Sequence, residues 1–392
     1  MNAFHVNGTV PRHPVLGWAT FEGQREAALP SVVEHPHLVY TTSGRAAIAL
    51  ALRLLGVSHG DSVLVPTYHC PTMISPVVKL GAVPVFFPVT ASGAPAIEYL
   101  TGLNLDGVRA MLVAHYFGLP QPLSRVRAFC DERGIALIED CAHAFFGEVE
   151  GRPVGGWGEY AIASLTKFFP VIEGGCLVSN RHSLDGGQLV SQGIGAEAKA
   201  LLDPVELGVR HRRFPGVNAL LRSAFWLKEL ARGRGFSPAD SRDESLMAVP
   251  SVDELSDALI GSRITRGSEL IVRCAHRARI VALRQRNYRL LAELLVDLHH
   301  AAPFQMDCPA TAAPYVLPLR VAHPVERYRA LRAAKLPLFR WDRVWPGTPT
   351  IAGDHGQAWS NEMFQLGCHQ DLSEIEIRFV AATVRRIFAQ VT

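Results

Sequence analysis

Ile135-Ala-Leu-Ile-Glu-Asp-Cys-Ala-His143 opens as a continuous apolar run and closes on two acids and a histidine. An apolar run without polar alternation suits a strand covered on both faces. Three earlier runs share this character: Ser62-Val-Leu-Val65, Val83-Pro-Val-Phe-Phe87 and Ala110-Met-Leu-Val-Ala114. Between the runs, Arg45 to Leu55, Thr72 to Leu80 and Leu123 to Arg133 have helical spacing. Strand–helix–strand alternation predicts an α/β fold with a mostly parallel, doubly covered sheet. Right-handed crossovers then put the loops that follow the strands on one edge, where open sheets of this type bind ligands.

Downstream, Tyr160-Ala-Ile-Ala163 and Gly175-Cys-Leu-Val178 read as two further strands. The segment 181–255 mixes Gly, Pro and basic residues, with one amphipathic stretch from Ala219 to Leu230. From Ile260 to Leu298 a long helical pattern appears, with Arg284, Arg286 and Arg289 on its polar side. Tyr315-Val-Leu-Pro-Leu-Arg320 reads as a strand and Leu372 to Phe388 as a final amphipathic helix. The expected division is an N-terminal arm over 1–35, a large domain over 36–255, and a linking helix with a smaller C-terminal α/β domain over 256–392.

The chain has 392 residues, 48% of them hydrophobic and 19% charged, the balance of a protein with a large core. Net charge is +3 with both signs interspersed, which gives no case for nucleic-acid binding. The densest basic patch, Arg210-His-Arg-Arg213, reads as a solvated face or a phosphate contact. The seven cysteines have no C-x-x-C pair, which suggests reduced thiols in the cytoplasm rather than a disulfide framework or a zinc site. No secretion signal and no membrane-spanning segment is expected.

Between the two strands of residues 160–178 lies Ser164-Leu-Thr-Lys167, followed by Glu173-Gly-Gly175. Lys167 has Phe168, Phe169 and Pro170 beside it. Desolvation lowers an amine's pKa, and a neutral amine can attack an aldehyde. A stem packed on apolar neighbours with its head in water is the structural alternative. Asp140 closes a buried strand, where an ionised carboxylate needs a cationic partner such as a pyridinium N–H. It serves equally as a helix N-cap. His143 is close enough to reach the same ring, or is a satisfied core histidine. Ser43, Gly44 and Arg45 sit at a helix start whose free N–H groups favour phosphate, and Ser164 offers a hydroxyl to the same group. Tyr68 and His69 follow a strand and offer a ring that stacks on a flat ligand or packs under the sheet edge. Arg340 and Arg343 are candidate contacts for a substrate carboxylate or phosphate, or else surface arginines stacked on Trp341 and Trp345. Glu173 is a further candidate substrate contact.

In this order the motifs resemble those of fold-type-I pyridoxal-phosphate enzymes, and more closely the DegT/DnrJ/EryC1/StrS aminotransferase family. The matching stretches are Ser43-Gly-Arg-Ala-Ala-Ile-Ala-Leu50, Val65-Pro-Thr-Tyr-His-Cys70, Gly81-Ala-Val-Pro-Val85, Ala114-His-Tyr-Phe-Gly118, Ile138-Glu-Asp-Cys-Ala-His143, Glu173-Gly-Gly175 and Cys368-His-Gln-Asp-Leu372. The resemblance implies an aspartate-aminotransferase-like large domain and a homodimer with its active site at the subunit interface. It implies pyridoxal 5'-phosphate held covalently by Lys167, with Asp140 on the ring nitrogen and His143 on the ring hydroxyl. Gly44, Arg45 and Ser164 would hold the phosphate, and Tyr68 or His69 would stack on the ring. It further implies amine transfer from an amino acid, glutamate, to a keto acceptor, a nucleotide-linked keto sugar. Decarboxylation, racemisation or condensation on the same cofactor, and a non-catalytic regulatory module, are the competing readings. The chain departs from the family in placing its serine three rather than five residues before the lysine. It also has Cys70 where the family has a second aromatic.

Overall fold

The computed structural model describes residues 9–23, 29–184, 189–231 and 255–390. Its first half is a seven-stranded sheet. In chain order come β1 (His37–Thr41), α1 (Gly44–Leu54), β2 (Ser62–Pro66), α2 (Pro71–Lys79), β3 (Val83–Phe87), α3 (Ile97–Thr101), β4 (Val108–Ala114), α4 (Ser124–Arg133) and β5 (Ala136–Asp140). A small hairpin, β6 (Glu148–Val149) and β7 (Arg152–Pro153), precedes β8 (Tyr160–Ser164) and β9 (Gly175–Ser179). The sheet order is β1-β9-β8-β5-β4-β2-β3. Pairing is parallel from β3 through β8, and only β9 is reversed, antiparallel to both β8 and β1.

The predicted parallel sheet is therefore present, and its central runs are fully buried: Val63, Leu64, Val65, Leu112, Leu137 and Ile138. One run differs from expectation. Val83–Phe87 has the composition of a covered strand but forms an edge, and Val83 is 51% exposed. Pro84 is compatible with that place because an edge strand need not donate on its outer side.

Helix α1 starts where Ser43 Oγ accepts the Ala46 N–H at 3.2 Å, a side-chain N-cap. The unbroken Ala46–Leu52 run is buried all round: Ala47, Ile48, Leu50, Ala51 and Leu52 join the main core, and Ala46 and Ala49 pack with Leu255 and Ile260. Strand β9 then runs hard against the start of α1. A Cβ on Gly175 would stand 2.3 Å from the Ser43 carbonyl carbon and 2.5 Å from the Gly44 nitrogen. Gly175→Ala is thus expected to push the start of α1 away from β9 and to cost at least about 1 kcal/mol, as overpacking does. The checks are a denaturant midpoint and inorganic phosphate affinity, both of which should fall.

Beyond the sheet come α5 (Ile194–Arg210), α6 (Asn218–Ala231), α7 (Asp257–Ile260), α8 (Arg266–Cys274) and α9 (Arg277–Leu295). The long helix expected over 260–298 is two helices, α8 and α9. Ile264 leads into Thr265, whose Oγ1 caps α8 by accepting the Ser268 N–H. His276 Nδ1 then caps α9 by accepting the Arg279 N–H at 3.1 Å. These caps end one helix and begin the next where apolar periodicity alone carries straight on. Residues 232–254 of the poorly legible 181–255 segment lie outside the described residues. The basic 210–213 patch is ion-paired, Arg210 to Glu206 and Arg213 to Glu376.

A second, antiparallel sheet has the order β10-β11-β13-β12. Its strands are β10 (Ala301–Pro303), β11 (Val316–Val321), β12 (Leu338–Phe339) and β13 (Met363–Gly367), with α10 (Pro324–Ala333), α11 (Gly356–Glu362) and α12 (Glu374–Gln390) around them. Helix α9 joins the two units: Ile280 and Val281 pack in the first core, Tyr288, Leu291 and Leu295 in the second. Residues 11–15 of the N-terminal arm are tied down. Arg12 donates to the Leu338 carbonyl, the Val15 N–H to Asp371 Oδ2, and Pro11 offers its carbonyl to His369 Nε2.

Candidate active site

Four strand ends converge at one edge of the large sheet. Thr41 and Ser164 both pair with Gly175, and Asp140 stands level with Ala114 and Ile162. Asp140 is buried, and its Oδ1 accepts the Ala142 N–H at 2.8 Å. No helix begins there, so the acid closes a local turn and is not a helix cap. Its second oxygen takes no hydrogen bond from the described residues. Burial raises the carboxyl pKa, and the nearby Lys167 charge and the Ala142 N–H pull it back.

Glu139, beside it, points to the opposite face and is saturated. It accepts from His115 Nε2 at 2.9 Å, from Gly155 N at 2.6 Å and from Trp157 N at 3.0 Å. His115 Nδ1 meanwhile accepts the Gln121 N–H. His115, Glu139 and Cys141 lie close together, yet these bonds already use the histidine and acid atoms a metal would need. Glu139 is thus a framework residue that fixes the end of β5.

His143 Nδ1 accepts the Phe117 N–H at 3.3 Å. Burial holds its pKa well down, with Lys167 adding in the same direction, so the ring is neutral and its proton sits on Nε2. That N–H has no acceptor among the described residues. Two rings flank His143: Tyr315 with its centroid at 4.5 Å and Trp341 at 4.7 Å. Lys167 closes a single turn, Leu165–Lys167, after β8. Its amine lies 5.4 Å from the Tyr315 ring centre and makes no hydrogen bond among the described residues. Burial lowers its pKa, opposed first by Asp140 and then by Cys70. An amine whose charge is disfavoured but not abolished is the state that can alternate between nucleophile and proton carrier.

The start of α1 lies beside Ser164: a Cβ on Gly44 would touch Ser164 Cβ at 3.5 Å. Gly174 N–H donates to the Thr42 carbonyl and accepts, through its own carbonyl, the Leu165 N–H. Ser43, Gly44, Arg45 and Ser164 are thereby gathered at one helix N-terminus, whose free N–H groups suit an anion.

Of the other candidates, Tyr68 packs on the Trp341 ring that flanks His143. Tyr68 is buried, 5.1 Å from Trp341 and 5.1 Å from Tyr116, whose hydroxyl donates to the Tyr68 carbonyl. His69 Nδ1–H donates to the Pro66 carbonyl and Nε2 accepts the Trp345 N–H, both at 2.9 Å. Both ring nitrogens are occupied, so this residue anchors the 340–348 loop. Glu173 receives the Thr265 N–H on one oxygen and Gln192 on the other. Arg340 donates to the Asn361 carbonyl, pairs with Asp342, and faces Tyr328 and Phe364. It does not stack on Trp341 or Trp345. Arg343 is exposed. The site residues that sequence reasoning misses are Trp341 and Tyr315, which join the His143 wall from far along the chain. The cluster of aromatics in Phe339-Arg-Trp-Asp-Arg-Val-Trp345 is the one signal in the sequence, and there it points to arginine stacking instead.

Burial pulls the His69 pKa down to about 4 from an ordinary 6.5, against the opposing pull of the Pro66 carbonyl. The folded state therefore binds this proton less readily than the unfolded chain. Its contribution is full above 6.5 and is lost as pH falls from 6.5 to about 4, a matter of about 3 kcal/mol. His143 and His369, also held down by burial, act in the same direction. Urea unfolding across this window should show a steep loss of stability in the native chain and a slope shallower by about one proton in His69→Gln. Equal slopes would remove His69 from the account.

The reversed β9 in an otherwise parallel seven-stranded sheet, with a lysine turn and an acid at its carboxyl edge, defines the fold-type-I aminotransferase architecture. Residues 18–210 match the model of the DegT/DnrJ/EryC1/StrS aminotransferase family. It is 30% identical over 171 residues to GDP-perosamine synthase of Vibrio cholerae, covering 42% of this chain and 47% of that one. It is 34% identical over 148 residues to L-glutamine:2-deoxy-scyllo-inosose aminotransferase of Streptomyces kanamyceticus, covering 36% and 34%. The chain thus spans about half or less of the length of the curated relatives it matches. In fold it is similar to the aminotransferase TlmJ of Streptoalloteichus hindustanus, with a TM-score of 0.60 at 22% identity over 91% of this chain and 86% of that one.

Proposed function

We propose that the chain is a pyridoxal-phosphate-dependent aminotransferase that moves an amino group from an amino acid, glutamate, to a keto acceptor, a nucleotide-linked keto sugar. One observation carries the reading. Asp140 Oδ2, His143 Nε2–H and Lys167 Nζ are unclaimed by any described residue, and the Lys167 charge acts on both the acid and the histidine. An acceptor, a donor and an amine left open together match the ring nitrogen, ring oxygen and aldehyde of pyridoxal phosphate. The start of α1 with Ser164 suits its phosphate.

Bound there, the cofactor supplies an aldehyde for amine capture and a ring that accepts electrons from the substrate α-carbon. The remaining work belongs to the chain. Asp140 keeps a proton on the ring nitrogen by offering a carboxylate. His143 donates from Nε2 and stays neutral across the working pH range. Lys167 Nζ would take up and return the proton of the reacting carbon. The rings of Tyr68, Trp341 and Tyr315 keep water from the exchange. Arg343, the exposed candidate cation, would meet a carboxylate or phosphate.

The names of the relatives support a ketone on a sugar or cyclitol as acceptor. Exposed apolar side chains on α5 and α6, among them Ile194, Leu220 and Trp226, support a homodimer. Seven free thiols support a reducing, cytoplasmic setting. No described helix is long and apolar enough to cross a membrane.

The test is the visible spectrum of the purified chain with pyridoxal phosphate, followed through a half-reaction with glutamate and then with nucleotide-linked keto sugars. Glutamate should bleach the bound cofactor's absorbance, and the keto sugar should restore it. A chain that takes up no pyridoxal phosphate would overturn the reading.

A further inference from the structure

The polar-side expectation for Arg284 is wrong. On α9 this residue is 0% exposed. Its Nη2 donates to the Lys167 carbonyl at 2.6 Å, and its Nη1 to the carbonyls of Pro314 at 3.0 Å and Tyr315 at 3.3 Å. Its Nε donates to Gln370 Oε1 at 2.9 Å, and Phe168 covers the guanidinium at 4.3 Å. No carboxylate among the described residues bonds it. A buried cation without a bonded counter-ion is costly, and burial lowers the Arg284 pKa to about 10, still charged near neutrality.

What it holds explains why it is there. The single turn Leu165–Lys167 ends inside the core, and such an end leaves carbonyls without helical partners. Arg284 takes the carbonyl of Lys167. Gln370, itself held by Arg284, donates to that of Phe168 at 2.8 Å. The same guanidinium grips Tyr315, whose ring lies beside both His143 and the Lys167 amine. A purely local solution would need only one neutral donor per carbonyl. One forked cation on α9 instead ties the lysine backbone, its successor through Gln370, and the Tyr315 backbone just before β11 to one rigid point.

We infer that Arg284 is the positioning residue of the lysine turn: by gripping the Lys167 carbonyl, Tyr315 and Gln370 together, it aims the Lys167 amine at the space shared by Asp140 and His143. It touches no reactant. The inference rests on the proposed function, for which Lys167 is the reacting amine.

The experiment is competitive acetylation of the cofactor-free chain across pH, with peptide mapping, so that activity is not the readout. Native chain, Arg284→Lys, Arg284→Ala with and without ethylguanidinium, and Gln370→Leu are compared, with Lys79 and Lys199 as internal controls. In Arg284→Lys the Lys167 midpoint should rise by about one pH unit as the amine swings toward water, while the controls stay put. Ethylguanidinium should return the Arg284→Ala midpoint toward native. A native midpoint in folded Arg284→Lys overturns the inference. If neither Arg284 variant folds, Gln370→Leu decides: it frees the Phe168 carbonyl, and an unshifted midpoint there overturns the inference as well. Failure of the native chain to take up pyridoxal phosphate would instead sink the proposed function and leave the midpoint comparison intact.

Discussion

On the proposed function, Lys167→Ala should lower the rate of amine transfer by at least about 10⁴-fold, since it removes the residue proposed both to hold the cofactor and to move the proton. Borohydride should fix pyridoxal phosphate to the native chain and not to the variant. Added methylamine should restore part of the proton transfer, because the cleft vacated by the side chain admits a small amine. Lys167→Arg separates charge from chemistry: a guanidinium keeps the attraction to Asp140 but does not lose its proton. It should be as inactive as the alanine variant. A rate within tenfold of native in either would exclude Lys167 as the reacting amine. Both variants should fold, because the amine makes no hydrogen bond that its loss would leave broken.

Asp140→Asn should cost at least about 10³-fold in the same half-reaction, with little loss of stability. The asparagine oxygen can still accept the Ala142 N–H that now bonds Oδ1. What it lacks is a negative charge for a ring nitrogen. Burial already raises the Asp140 pKa, so the fold gains little from that charge and should not miss it. The melting temperature should therefore stay within a few degrees of native while the rate collapses. N-methylated pyridoxal phosphate, whose ring is permanently cationic, should recover much of the loss. A variant that loses stability and rate together would mean that Asp140 serves the fold first.

The large sheet is legible in the sequence because burial on both faces forces long apolar runs, and β2, β4 and β5 have them. The convergence of Lys167, Asp140 and His143 is legible because their spacing around two strand ends is short. Trp341 and Tyr315 are not, since only the folded chain brings them to His143. Helical periodicity puts Arg284 on the wet side, whereas orphaned carbonyls on a neighbouring turn draw the charge inside. The same holds for Glu173 and His69. Each looks like a reagent, and each has every polar atom spent on fastening loops, to Thr265 and Gln192 in one case and to Trp345 in the other. Tertiary partners decide such residues, and a sequence read locally does not name them.

The reversed strand β9 has a temporal consequence. Thr41 meets Gly175 across β1 and β9, about 130 residues later in the chain. The start of α1 is made early in synthesis, yet the strand that stands against it arrives only when β9 slots in between β1 and β8. A half-assembled chain therefore lacks β9 beside the start of α1. Anything that binds there favours the last closing step and acts as a clasp on the finished sheet.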